Sequence, residues 1–376
     1  MDANEKILVL GGTGHFGTRI CRRLADLSGS ELIIAGRDAL RAEVLADELS
    51  ESNPDTTITA RALDQDSPEF ENELCAIRPF VVIHTAGPYQ GQDYRVAHAC
   101  IEAGCHYVDL ADARDFVAEF DLLDHMAKEA GVLLVSGAST LPSVAAAVIE
   151  QHREKFNKIK NIEISIAPAQ QTPRGLGTVA AVLSYCGRPF EVLAGGRWRA
   201  RYGWQDLRFQ HYPALGRRLS GACDVPDLEL LPRLVPDVLG VSFHAALESR
   251  LEQISLWLMA WLTRFGLVSD WSRHAPMFTR LSRQLAKLGS DRGAMRVTLR
   301  GLDRRGDPLV LDWNLTARDN HGPEIPCTPS VVITKKLVRD ELPDRGAVPC
   351  MGLFTLDELM AEMADFSISA DVSIAS

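Results

Sequence analysis

No stretch of this 376-residue chain approaches the ~20 consecutive apolar residues that a bilayer-spanning helix needs. No secretory leader opens it either: Met1 to Lys6 is polar and acidic and runs straight into a strand-like segment. A cytoplasmic location is therefore expected. Metal-site spacing is lacking too. The eight cysteines, at 21, 75, 100, 105, 186, 223, 327 and 350, include no Cys-x-x-Cys pair, and the ten histidines form no His-Glu-x-x-His. No metal is expected, and the thiols read as reduced core fillers. An excess of positive charge is also missing. The net charge is −10, which argues against nucleic acid as a partner.

What is present is the composition of a globular protein, 46% hydrophobic and 24% charged, with a length that suits two domains. The charge is uneven. Residues 1–150 carry 11 Lys/Arg against 25 Asp/Glu, and residues 151–376 carry 29 against 25, so an anionic ligand fits the second half better. The first ~140 residues alternate short apolar runs with helical periodicity, the pattern of βαβ units. Strands are predicted at Ile7–Leu10, Leu32–Ala35, Thr57–Leu63, Phe80–His84, His106–Leu110 and Val132–Val135, with helical crossovers between them. Six such strands make a doubly wound parallel sheet. Beyond Leu141 the pattern changes. Ile162 to Ile166 alternates like a strand with one wet face, and Met295–Leu299, Leu309–Leu315 and Val331–Thr334 read as further strands. The fold class is α/β: a Rossmann domain over 1–142, an α+β substrate or dimerisation domain with a mostly antiparallel sheet over 143–340, and a C-terminal segment over 341–376.

Between the first strand and the first helix lies Gly11-Gly12-Thr13-Gly14-His15-Phe16-Gly17. Glycines there allow a tight turn and let backbone N–H groups approach a pyrophosphate at the helix N-terminus. The context, strand before and helix after, is the one that gives this motif meaning. The cofactor is chosen at the end of the second strand. A site for NAD places an acid there; this chain has Gly36-Arg37-Asp38. Arg37 suits a 2′-phosphate, so NADP is expected, while Asp38 leaves NAD open. Asp64, ending the third strand, is a candidate for the adenine side. Ala86-Gly87-Pro88-Tyr89, after the fourth strand, offers small residues past which ribose and nicotinamide can run. None of the six tyrosines has a lysine four residues on, which excludes the proton donor of short-chain dehydrogenases, and no Gly-x-Ser-x-Gly elbow occurs.

With these residues assembled, the chain resembles the saccharopine dehydrogenase-like oxidoreductases. The likeness rests on the glycine turn, on Ala35-Gly36-Arg37-Asp38, on Ala86-Gly87-Pro88-Tyr89-Gln90-Gly91 and on His106-Tyr107-Val108-Asp109-Leu110-Ala111-Asp112. It is strongest over residues 5–145 and looser at Asp224–Asp227, His321–Pro323 and Pro349–Leu353. The resemblance implies a Rossmann domain, a second domain closing the substrate cleft, and a chain end returning toward the first domain. Members that link amino acids carry Gly-x-Asp-Pro-Gly after the sixth strand. Here Gly137-Ala138-Ser139-Thr140-Leu141-Pro142-Ser143 lacks the aspartate, so saccharopine is not the expected substrate. The family also includes enoyl reductases and other relatives associated with lipid-linked substrates.

The expected activity is hydride transfer to or from a C=N, C=C or C=O acceptor. Tyr89, by its match to the family's Pro-Tyr turn, and Asp109 and Asp112, at the end of strand five, are the catalytic candidates. The alternatives are a non-catalytic dinucleotide-binding redox sensor and an enoyl reductase for a lipid-linked substrate. In the second half, Arg188, Arg197, Arg199, Arg201, Arg208, Arg217 and Arg218 interleave with Trp198, Tyr202, Trp204 and Phe209. This is either an anion site or a charged strand pair with aromatic packing. Leu256–Leu262 is apolar all round, which suits a buried helix, a dimer contact or an interfacial anchor. The expected partners are a small substrate with an anionic end and an apolar part, and a second copy of the chain in a homodimer. Peripheral membrane contact is left open.

Overall fold

A computed structural model describes residues 5–375, which divide into two compact units. The first comprises residues 5–143 and 324–354; the second comprises 144–323 and 355–375.

The first unit is built on a parallel sheet of seven strands: β1 (Glu5–Leu10), β2 (Ser30–Gly36), β3 (Thr57–Ala62), β4 (Val81–His84), β5 (His106–Asp109), β6 (Leu133–Ser136) and, late in the chain, β15 (Gly346–Pro349). Their spatial order is β15-β6-β5-β4-β1-β2-β3. β1, β2, β4 and β6 are short β-branched or leucine-rich runs. Ile7, Leu8 and Val9 have no exposed surface, as expected of a sheet covered on both faces. The crossovers are α1 (Gly17–Leu24), α2 (Ala39–Ser52), α3 (Phe70–Ile77), α4 (Arg95–Ala103), α5 (Arg114–Ala118) and α6 (Asp124–Glu129). The order reverses between β1 and β4, and at such a switch point ligands bind beyond the carboxyl ends of the strands.

The second unit begins with α7 (Ala145–His152). Its sheet is built from β7 (Phe156–Ala167), β10 (Arg208–Tyr212), β11 (Gly216–Ala222), β12 (Gly240–Ala246), β13 (Gly293–Asp303), β14 (Pro308–Ala317) and β16 (Ile368–Ala375), in the order β10-β11-β12-β7-β13-β14-β16. All neighbours are antiparallel except β12 and β7. β8 (Pro189–Ala194) and β9 (Arg197–Tyr202) form a separate hairpin. The helices are α8 (Leu176–Ser184), α9 (Asp227–Leu234), α10 (Arg250–Arg264), α11 (Ala275–Leu285) and α13 (Leu356–Glu362). β7 shows why the alternating segment is a strand. Ile162 and Ile164 are buried, while Glu163 between them pairs at 3.0 Å with Arg300 on the wet face.

Three elements depart from the sequence reading. Val331–Thr334 is not a strand but the middle of α12 (Glu324–Val338), which belongs to the first unit. The second-domain stretch read as 143–340 thus yields its last residues to the first unit, and residues 355–375 return to the second. The parallel sheet has seven strands because β15 pairs with β6. Among the described residues no helix is long and apolar enough to cross a membrane.

Candidate dinucleotide site

The glycine turn joins β1 to α1 at the switch point. Gly11 has φ +82°, a left-handed conformation that favours glycine, and a Cβ there would lie 2.8 Å from Thr85 Oγ1. A Cβ on Gly12 would meet Ile34 Cγ2 at 2.8 Å. On Gly17 it would overlap the Gly11 carbonyl oxygen and stand 2.7 Å from Gly12 Cα. These glycines hold the turn tightly against the sheet. Gly14 differs: it is exposed, with only the Gly11 carbonyl near its missing side chain, at 3.0 Å.

The backbone of the turn is partly used. The Gly11 and Gly12 amides each donate to the Ala35 carbonyl at 2.9 Å, and Gly14 N–H donates to Gly11 at 2.8 Å. The amides of Thr13, His15 and Phe16 have no acceptor among the described residues. α1 has neither a side-chain N-cap nor an acid in its first turn. An uncapped helix start with unused amides is suited to an anion, and the donor set fits a pyrophosphate. His15 stands beside it as a neutral ring, its pKa lowered to about 4 by burial and then by Arg19.

At the end of β2, Arg37 is exposed and has no side-chain partner among the described residues. Asp38 is engaged elsewhere: its carboxylate caps α2, accepting the Arg41 amide at 3.2 Å. The Arg41 guanidinium reaches back to donate to the Thr13 carbonyl at 3.3 Å. Two cations thus flank the strand end beside the glycine turn. Sequence reasoning missed Arg41, though a basic residue one helical turn past Arg37 was its visible signal. Gly36 leaves room there, since a Cβ would have only Thr13 Oγ1 near it, at 3.5 Å. Asp64 is half-buried and holds its own turn, accepting the Asp66 amide at 3.2 Å.

The loop after β4 abuts the glycine turn. Thr85 donates to the Leu10 carbonyl from both its amide (2.8 Å) and its hydroxyl (2.9 Å). Gln92 Nε2 braces the loop by donating to the carbonyls of Ala86 (3.0 Å) and Pro88 (2.7 Å), and Gly87 and Pro88 are exposed. Tyr89 is buried rather than open to a ligand. Its hydroxyl donates to the His84 carbonyl at 2.6 Å and accepts the Leu110 amide at 3.4 Å, and its ring packs on Phe116. Burial, then the Asp109 charge, drives its pKa well above the usual phenol value.

Asp109 closes β5 with no exposed surface. Its Oδ1 accepts the amides of Ala111 and Gly137, both at 2.8 Å, and the Ser136 hydroxyl at 3.1 Å, which ties the ends of β5 and β6 together. Burial pushes its pKa up to about 6 against the opposing pull of those donors. Beside it, His84 donates from Nε2 to Gln65 Oε1 (2.8 Å) and accepts the Tyr107 hydroxyl at Nδ1 (3.0 Å). Burial lowers the His84 pKa to about 4, so the ring is neutral. Asp112 lies past the strand end, not on it; it is exposed and accepts from Gln90 Nε2 at 3.1 Å. The turn at 11–17, the loop at 85–92 and residues 109–112 therefore meet along one edge of the sheet.

The arginines of the second unit are largely spent internally. Arg208 pairs with Asp206 at 2.7 Å and Arg218 with Glu248 at 3.3 Å, while Arg217 lies over the Phe209 ring at 4.5 Å. Of the two readings of this stretch, the structure supplies the charged strand pair with aromatic packing.

The family model for the saccharopine dehydrogenase NADP-binding domain matches residues 7–155. A protein of Arabidopsis thaliana named as a probable mitochondrial saccharopine dehydrogenase-like oxidoreductase is 26% identical over 148 residues, covering 36% of this chain and 32% of that one. A trans-acting enoyl reductase of Mycobacterium ulcerans is 28% identical over 142 residues, 37% of this chain and 33% of that one. The matched region thus spans about a third of the length of these relatives. The solved structure of apo saccharopine dehydrogenase (L-Glu forming) from Saccharomyces cerevisiae shares the fold of the whole chain, with a TM-score of 0.67 at 14% identity, covering 99% of this chain and 100% of that one. Residues 7–155, which hold the glycine turn, thus match the saccharopine dehydrogenase NADP-binding domain, and the chain as a whole shares the fold of the yeast saccharopine dehydrogenase.

Proposed function

We propose that the chain is an NADP-dependent oxidoreductase acting on a C=N, C=C or C=O acceptor other than saccharopine. The observation that carries the cofactor choice is the pair Arg37 and Arg41 at the end of β2, with the neighbouring acid, Asp38, committed to capping a helix. A dianionic 2′-phosphate needs such cations, and a bare ribose hydroxyl pair does not. When bound, the dinucleotide supplies the hydride chemistry. The chain's part is to hold the pyrophosphate on the amides of Thr13, His15 and Phe16 and to shape the edge where the acceptor lies. Asp112 is exposed on that edge and can reach a ligand; Tyr89 and Asp109 act as positioning residues, since the Tyr89 hydroxyl and Asp109 Oδ1 are engaged with backbone.

The substrate reading rests on the segment after β6. A free α-ammonium group needs a carboxylate, because a buried unpaired charge is expensive. Ser139 and Thr140 offer only hydroxyls where the amino-acid-linking relatives carry aspartate. An acceptor without a free ammonium group suits the chain better than a zwitterion. The test is a stopped-flow scan of NADPH oxidation against imines, enoyl thioesters and ketones, with lysine plus 2-oxoglutarate as the negative arm. Turnover of the latter pair, or of saccharopine, would overturn the substrate reading, and tighter binding of NADH than of NADPH would overturn the cofactor reading. A redox sensor is the second reading, favoured by the internal engagement of Tyr89 and Asp109. NADPH binding with no oxidation by any acceptor class would support it.

A further inference from the structure

α10 is apolar on two opposite sides, and only one is covered. Leu256, Met259 and Ala260 face the interior of the second unit. Leu251, Ile254, Leu258, Leu262 and Phe265 occur at intervals of three and four residues, so they form a single stripe, and all are exposed; Leu251 is 74% and Phe265 70% accessible. The chain then exposes Leu267 and, in and after α11, Met277, Leu281 and Leu288. Trp271 ties the two helices: its Nε1 donates to the Met259 carbonyl at 3.1 Å, and its ring meets the edge of Phe278. Scattered exposed leucines need no explanation, but a stripe along a 15-residue helix and its continuation does.

The charge on this region names the occupant. In a chain of net charge −10, residues 250–288 carry six Lys/Arg and two Asp/Glu. Both acids are engaged: Glu252 accepts from Gln170 Nε2, and Asp270 accepts from Ser272. Arg273, Arg280, Arg283 and Lys287 are exposed and form no ion pair among the described residues. Arg264 instead lies over the Tyr202 ring at 4.0 Å. An apolar stripe flanked by unpaired cations, with Trp257, Trp261 and Trp271 at intermediate depth, has the make-up of a surface that rests in the headgroup layer of an acidic membrane. A two-fold contact with a second copy would set these cations against their own equivalents, which disfavours self-association through this face.

We infer that the α10–α11 face docks peripherally on an anionic phospholipid bilayer. The full chain is tested by flotation with phosphatidylcholine vesicles, with and without phosphatidylglycerol. Retention is expected on the anionic vesicles only, weakening as salt rises, with a blue shift of tryptophan emission. Replacing Arg280, Arg283 and Lys287 together by glutamine should weaken it about a hundredfold, the sum of three surface cations. Leu258→Glu with Phe265→Glu should abolish it while leaving thermal unfolding and NADPH affinity unchanged, since both side chains are exposed on the second unit. No retention on either vesicle, or equal retention on both, overturns the inference. So does light scattering that shows a dimer broken by Leu258→Glu in the absence of lipid, because the stripe would then belong to a second copy.

Discussion

At the scale of single residues, the two arginines beside the glycine turn make separable predictions. Arg37→Ala should cost NADPH about 1.5–3 kcal/mol of binding free energy, the worth of a hydrogen bond to a charged group, and leave NADH nearly unchanged. Arg41→Ala should show the same bias with an added loss for both cofactors, because its guanidinium also steadies the Thr13 carbonyl. Calorimetric titration with both dinucleotides checks this, and equal losses for both at Arg37 would reduce it to an adenine support. Asp109 makes a prediction about pH. Its folded pKa, about 6, lies above the ordinary carboxyl value of about 3.9, so folding favours the protonated form. Its contribution is fully present below about pH 4 and is lost as pH rises through 6, amounting to roughly 3 kcal/mol for two pK units. Asp227, buried with neither carboxylate oxygen hydrogen-bonded and with a pKa of about 8, extends the same trend to higher pH. Asp109→Asn keeps an acceptor for Gly137 and Ala111, and it should flatten the stability curve between pH 4 and 6 while leaving the slope between 6 and 8. Denaturant melts at stepped pH would show this; an unchanged lower slope would contradict it.

At the scale of elements, the glycines of one turn should divide by function. Gly17→Ala puts a methyl into backbone and should lower stability by about 1–3 kcal/mol as well as weakening NADPH binding. Gly14→Val meets only one carbonyl and projects outward, so it should abolish cofactor binding with a thermal midpoint close to the parent. Paired melting and binding curves on the two variants would reveal a common loss if this division were false. The same turn shows how much of the fold is legible in the chain alone. β1, the turn and α1 are legible because each switches period where the structure does, with Ile7–Leu10 buried on both faces and Ile20, Cys21 and Leu24 on one. α12 is not. Val331, Val332, Ile333 and Thr334 are β-branched, Pro326 and Pro329 precede them, and most of the helix is buried, so no polar face marks its period. The candidate site is legible where backbone carries it, at Gly11 to Gly17. It is less so where the decisive fact is a hydrogen bond: nothing in the letters around Tyr89 says that its hydroxyl is spent on the His84 carbonyl, and nothing around Asp38 shows that it caps a helix before it can meet a ribose.

At the scale of the whole molecule, the path of the chain couples its end to the integrity of its beginning. After leaving the first unit at residue 143, it returns for α12 and β15 and then goes back to finish the second sheet with β16. α12 is not peripheral to the first unit. Cys327, Val331, Ile333 and Thr334 are fully buried, Glu324 pairs with Arg19 at 2.9 Å, and Thr328 Oγ1 accepts from Arg23 at 2.9 Å on the flank of α1. Each buried aliphatic side chain of that helix is worth about 1.5–3 kcal/mol, against a net stability on the order of 5–15 kcal/mol for a domain. A chain ending at residue 323 should therefore fail to fold its dinucleotide domain, although the glycine turn and the first six strands are intact. β16 is different. Its side chains are almost all exposed, and it pairs only along the outer edge of β14. A chain ending at residue 367 should fold with a modestly lower midpoint and bind NADPH as the parent does. Near-UV circular dichroism and NADPH titration on the two truncations decide the matter. If the 323-residue chain unfolded cooperatively and kept parental NADPH affinity, the return segment would carry none of the stability assigned to it, and the first six strands would be a self-sufficient domain.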